Sequence, residues 1–314
     1  AHDSDIEGLK ELAQVMKKNG AKAIVQIHHG GAQALPELTP DGDVVAPSAI
    51  SLKSFGQQKE HDAREMTAEE IEQTIRDFGE ATRRAIEAGF DGVEIHGANH
   101  YLIHQFVSPY YNRRNDVWAD NYKFPVAVID EVVKAKKAHA YDDFIIGYRL
   151  SPEEAESPGI SMEITEELIH QIANKPLDYI HVSLMDVNSV TREGKYKGEN
   201  RLELIHQWIN GRMPLIGIGS VFTAEDALNA VENIGVEFVA LGREILLDYD
   251  FVAKIKEGRE DEIINAFDPN REDQHYLTPN LWEQFNQGFY PLPRKDKSLN
   301  GISKCIYSRL GHNF

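Results

Sequence analysis

The chain has 314 residues, with 33 Lys+Arg against 51 Asp+Glu for a formal charge of −18, and a single Cys, Cys305. One thiol makes no internal disulfide, cysteine zinc site or iron–sulfur cluster, and so acidic a surface disfavours nucleic acid and anionic membranes as partners. With no apolar run near the ~20 residues that cross a bilayer and no basic-then-apolar leader, the expectation is a cytoplasmic globular enzyme.

A first helix is expected over Ile6–Lys18 with no strand before it. From residue 20 to 245 one unit recurs: a short β-branched run, a loop, then an amphipathic stretch. The runs are Lys22–Ile27, Gly92–Ile95, Phe144–Leu150, Tyr179–Leu184, Leu215–Ile218 and Phe238–Leu241. None alternates polar with apolar over its length, which is how strands covered on both faces read. Thr67–Ala88 is expected to be helical: Thr67 with Glu70 three residues later forms a capping box, and Gly89 provides the left-handed stop. Thr165–Ala173 and Thr223–Val231 are expected to open at their threonines, the second ending before Gly235. From Asp268 onward the composition reads as an irregular tail.

Strands separated by helices run parallel, because a right-handed crossover returns each in the same direction. No Gly-x-Gly-x-x-Gly follows any of them, so a (β/α)8 TIM barrel is favoured over a doubly wound sheet, with six of its parallel strands identifiable. An open six-stranded arc would leave edges unpaired. The expectation is that the missing pair lies upstream of residue 1 or that another segment fills the gap.

Barrel chemistry sits at the C-terminal strand ends. Those ends read Gln26 with His28-His29-Gly30-Gly31, then His96-Gly97-Ala98-Asn99-His100-Tyr101, Arg149 with Ser151, His181 with Ser183, Gly219-Ser220 and Gly242-Arg243. All six offer hydrogen-bonding groups or a glycine that permits close approach. His96 and Asn99 flank a Gly-Ala turn and are placed to converge as two neutral donors, an arrangement that stabilises developing enolate-like charge. A side-chain amide such as Gln26 offers both a donor and an acceptor, and the Arg149 guanidinium suits a poorly solvated anion. Gly219, Ser220, Gly242 and Arg243 together read as a phosphate cradle after the last two strands. Blander readings go to the rest. Asn112–Asp116 is a structural loop, the Glu153–Glu156 run a solvated loop, His104 a core residue, and Arg294–Lys297 a solvated terminus.

Gly89–Asp116 (GFDGVEIHGANHYLIHQFVSPYYNRRND), with Ala21–Gly31, Phe144–Pro152 and Pro214–Asp248 in order and spacing, resembles the Old Yellow Enzyme family of FMN-dependent NAD(P)H oxidoreductases. The resemblance implies a flavin-binding barrel over residues 1–268, with 269–314 packing on it or on a neighbouring subunit, so a homo-oligomer is left open. It implies FMN, with NADH or NADPH as hydride donor and a small electrophilic alkene as acceptor. His96 and Asn99 would hold the acceptor's oxygen, Tyr101 would protonate its α-carbon, and Gln26 and Arg149 would face the flavin pyrimidine. The residue facing flavin N5 would lie upstream. The chain departs from the family at His100, where Gly is usual, and at Ala32, where Arg is usual. Two other readings stand beside this one: a non-flavin barrel acting on a phosphorylated small molecule, and a flavin-binding relative without turnover.

Overall fold

The structure, a computed structural model, describes residues 2–53, 60–139, 141–275, 277–288 and 292–295. Cys305 and the end of the basic tail piece, Asp296-Lys297, lie outside these residues. Helix α1 (Ile6–Met16) precedes strand β1 (Ile24–Ile27). The long connection that follows carries β2 (Val45–Ala46), β3 (Ile50–Leu52) and β4 (His61–Glu65), a small sheet in which β2 lies parallel and β3 antiparallel to β4. Its strands are too short, and lie in too Pro- and Asp-rich a segment, to show any periodicity.

Helix α2 (Ala68–Glu87) begins as expected. The Thr67 hydroxyl accepts from the Glu70 amide at 3.2 Å while the Glu70 carboxylate accepts from the Thr67 amide at 2.8 Å, and Gly89 takes φ +79° at the far end. Then come β5 (Gly92–Gly97), α3 (Leu102–Val107), α4 (Lys123–Ala138), β6 (Ile145–Leu150), α5 (Met162–Ile172) and β7 (Tyr179–Val182). They are followed by α6 (Arg201–Ile209), β8 (Leu215–Ile218), α7 (Ala224–Asn229), β9 (Phe238–Ala240), α8 (Arg243–Leu247), α9 (Phe251–Lys256) and α10 (Pro279–Asn286).

β1, β5, β6, β7, β8 and β9 form one parallel sheet in that order. Among the described residues β1 pairs only with β5 and β9 only with β8, so the six strands make an open arc in barrel order. Register fixes its two faces. One carries Val93, Ile95, Ile146, Tyr148, Leu150, Ile180, Val182 and Leu215, all without solvent exposure. Each such side chain contributes roughly 1.5–3 kcal/mol of burial. Because successive strand residues alternate, Gln26 beside Glu94, and His96 beside Arg149 beside His181, share the opposite face.

Three expectations need correction. The fifth helix opens at Ser161, not Thr165, whose hydroxyl instead donates to the Pro152 carbonyl at 2.7 Å and ties the helix to the exit of β6. The Glu153–Glu156 run is not a solvated loop: Glu153 pairs with Arg201 at 2.6 Å, and Glu154 is buried against His104. Partners on α6 and α3, far away in sequence, offset the desolvation of those carboxylates. The tail is not wholly irregular either. α10 buries Phe285 beside Leu247, Phe267 and Leu292, a small core that straddles residue 268. Among the described residues no helix is long and apolar enough to cross a membrane.

Candidate active site

The turn leaving β5 takes a shape that its sequence resists. Asn99 and His100 both sit in the left-handed region, at φ +57° and +60°. Asn tolerates this, whereas for His the backbone costs on the order of 1–2 kcal/mol. Three contacts hold it: the Asn99 amide donates to Ser151 Oγ at 3.0 Å, the Tyr101 amide to the Ala98 carbonyl at 3.2 Å, and Gln105 Nε2 to the His100 carbonyl at 2.5 Å. Gln105 also accepts from the Ala32 amide at 3.1 Å, and a Cβ on Gly31 would come within 2.3 Å of its Oε1. Gly31 also sits at φ +56°, which glycine adopts without strain, where the loop after β1 packs against α3.

The turn aims Asn99 at its neighbours. Its Oδ1 accepts from Ser151 Oγ at 3.2 Å and from Ser183 Oγ at 3.0 Å, which leaves the Nδ2 side as donor. Ser183 Oγ also accepts from Arg149 Nη2 at 3.0 Å, so β5, β6 and β7 are linked at their ends. Burial lowers the Arg149 guanidinium below its ordinary value, against the pull of Glu94. His96, buried, is pushed down to about 3 by desolvation, with Arg149 adding to the effect. It is therefore a neutral imidazole with one N–H to donate. Its ring stands edge-on to Tyr101 at 5.1 Å, and His28 stacks on Tyr101 at 5.0 Å.

Below these groups Gln26 Nε2 donates to Glu94. Glu94 also accepts from His181 Nδ1 at 2.9 Å and from the Tyr179 hydroxyl at 3.1 Å. Burial raises this carboxyl, but His181, Gln26 and Arg149 outweigh it and the net shift is downward.

A cavity of about 380 Å³ opens at the ends of β6–β9, lined among others by Asn99, Arg149, Ser220, Gly242, Arg243 and Glu244. Gly219, at φ +132°, is required there, because a Cβ would lie 2.5 Å from the Asp186 amide nitrogen. Ser220 Oγ donates to the Met185 carbonyl at 2.7 Å, and Arg243 Nη2 reaches both of those oxygens at 3.0 Å. Glu244, both of whose oxygens are buried without a hydrogen-bond partner, is pushed up to about 8 by burial and by Asp248.

Six of the nine expected site residues, Asn99, Arg149, Gly219, Ser220, Gly242 and Arg243, thus meet at one cavity. Gln26 does not. It lines a separate groove of about 590 Å³ with His28 and His29, along β1 and α2. His96 and Tyr101 border neither space and join that side through the His28 ring. His28 and His29 lie just past β1 rather than within it, and His29 Nδ1 accepts from the Gly31 amide at 3.0 Å. Glu244 carried no signal beyond its place after Gly242-Arg243, and Ser151 and Ser183 carried only their strand-end positions.

Arg149 Nε, His96 Nδ1 and His181 Nε2 are buried without hydrogen-bond partners. A guanidinium and imidazoles left unmet on one side, with Arg243 and approachable glycine backbone on the other, fit a flat polar heterocycle carrying a phosphate, as FMN does.

Residues 1–262 match the family model for FMN oxidoreductases, described as the NADH:flavin oxidoreductase / NADH oxidase family. The protein named "Probable NADH-dependent flavin oxidoreductase YqiG" of Bacillus subtilis is 48% identical over 295 residues, covering 92% of this chain and 78% of that protein. The NADH:fumarate oxidoreductase of Klebsiella pneumoniae is 39% identical over 291 residues, covering 90% of this chain but only 30% of that larger protein. The structure of the old yellow enzyme homologue from Zymomonas mobilis superposes with a TM-score of 0.70 at 21% identity, over 90% of this chain and 78% of that one. At that identity the likeness speaks for the fold, a (β/α)8 barrel of which the described residues present six strands.

Proposed function

The chain belongs to the NADH:flavin oxidoreductase / NADH oxidase family, the Old Yellow Enzyme family of FMN- and nicotinamide-dependent oxidoreductases, and from that premise we propose that it reduces electron-poor alkenes conjugated to a carbonyl. FMN, when bound, supplies the hydride chemistry, accepting from NADH or NADPH and delivering to the alkene. Arg243, the Ser220 hydroxyl and the backbone at Gly219 and Gly242 would hold its phosphate, and Arg149 its pyrimidine edge. His96 and Asn99 Nδ2 donate to the acceptor's carbonyl oxygen, and the neutrality of His96 suits it to meet negative charge that develops only on reaction. Tyr101, steadied between His28 and His96, delivers the proton to the α-carbon. Nicotinamide and acceptor would use the same space in turn, so ping-pong kinetics with mutual competition is expected.

The observation that carries this reading is the set of buried, unmet polar nitrogens at the ends of β5, β6 and β7, Arg149 Nε among them as a donor. Within the strands of the six-stranded sheet, the base that the non-flavin alternative would use is Glu94, and that carboxylate is occupied by Gln26, His181 and Tyr179. The test is an anaerobic absorbance experiment on protein loaded with FMN. NADH or NADPH should bleach the flavin band and a cyclic enone should restore it. A flavin that binds but is never bleached would assign the chain to the flavin-binding relatives without turnover.

A further inference from the structure

A second group of buried ligand-type side chains lies where the β5 turn and α3 meet the loop after β6, and the reaction above makes no use of it. His104 Nε2 lies 2.7 Å from Glu154 Oε2, and His100 Nδ1 lies 3.6 Å from the same oxygen. The three ligand atoms fall within 4.8 Å of one another, and all three residues are buried. Glu154 is preset: its other oxygen, Oε1, accepts from the Ser108 hydroxyl and from the Ile160 amide at 2.8 Å, which turns Oε2 toward the two imidazoles. The His100 and His104 rings are 4.6 Å apart.

We propose that His100, His104 and Glu154 form a site for one divalent cation of the zinc class. Two imidazoles and a carboxylate are a borderline-soft N/O set, and tetrahedral zinc holds such atoms at ~2.0–2.2 Å, hence roughly 3.3 Å from one another. The observed 2.7 and 3.6 Å to Glu154 bracket that spacing, and the two imidazole nitrogens lie within 4.8 Å of each other, so side-chain shifts of up to about 1.5 Å complete a coordination shell. The cation takes the place of the proton shared by His104 and Glu154. Glu156 completes the charge balance. Its Oε2 is buried without a hydrogen-bond partner. Two carboxylates and two neutral imidazoles around a dication leave no net charge. The fourth position falls to Glu156 or to water. A cation held there would clamp the turn that presents Asn99 and Tyr101.

The test uses the full chain with FMN bound, freed of metal by chelation and titrated with zinc by calorimetry. Cobalt absorbance beyond the flavin band reports the ligand geometry. The wild type should take up one equivalent, with a raised melting temperature and a tetrahedral cobalt spectrum. His100→Asn keeps a residue that tolerates φ +60° and removes one ligand; with an unchanged circular dichroism spectrum it should bind at least about tenfold more weakly. His104→Gln should do the same. Absence of zinc uptake by the wild type at micromolar concentrations overturns the proposal. So does wild-type affinity in His100→Asn, which would put the cation elsewhere, as on the acidic surface.

Discussion

The two ends of the arc treat their polar residues in opposite ways. Toward β9, Ser183, Ser220, Arg149 and Arg243 bond to one another and to the Met185 carbonyl around a compact cavity. Toward β1, Gln26 and His28 are exposed along a wider groove, and Gln26 has turned its amide to Glu94. The first half is preorganised by contacts local to adjacent βα loops. The second depends on what covers it. Affinity for the cofactor should therefore reside mainly at the β9 end, and turnover mainly at the β5 turn between the two.

Mutations can break that division. The largest expected effect is on turnover: His96→Ala combined with Asn99→Ala should lower kcat/KM for an enone by about 10³-fold or more with flavin still bound. Steady-state kinetics on protein of verified flavin content checks it, and an unchanged rate would remove both residues from the reaction. Tyr101→Phe should slow flavin reoxidation by the enone by about 100-fold and leave reduction by NADH nearly untouched, as stopped-flow absorbance would resolve. Equal slowing of both half-reactions would deny it the acid role.

Arg243→Ala should weaken FMN binding by about 10- to 100-fold, the range of a lost charge-assisted contact, whereas Gln26→Ala should cost only a few-fold. Flavin fluorescence quenching measures both, and the reverse order would mean that the β1 end is the anchor.

The smallest effect is on stability and separates the two regions by pH. Glu244, at the cavity, has its folded pKa raised to about 8, so its contribution is complete below the ordinary carboxyl range and is lost as pH rises toward 8. His96 has its folded value depressed to about 3, so its contribution is present above the ordinary histidine value and is lost as pH falls toward 3. Glu244→Gln should flatten the alkaline limb of a melting-temperature profile and His96→Asn the acid limb, by a few degrees each. An alkaline limb unchanged by Glu244→Gln would mean that the carboxyl is ionised in the fold.

Much of this was legible residue by residue. The six strands fall within two or three residues of their expected bounds because β-branched runs between glycines have few other uses. Thr67 caps its helix through Glu70 as the spacing implied, and the helix expected to open at Thr223 does so, with Asp226 closing a box that the structure adds. Thr165 looked the same and was not a cap, because the Pro152 carbonyl, thirteen residues earlier in the chain, claimed its hydroxyl. The β2–β4 sheet and the burial of Glu153 and Glu154 also went unseen, since their causes lie in partners that no local window contains.

What the sequence by itself determined is the order of parallel strands and the identity of the groups at their ends, since period and capping chemistry act over a few neighbouring residues. Only the tertiary structure decided which of those groups meet. It put Asn99 and Arg149 on one serine, sent Gln26 to Glu94 instead, and closed His100 and His104 on a carboxylate fifty residues away. Side-chain pairing depends on distances across the sheet and on which partner can be desolvated at least cost, and neither quantity is written along the chain.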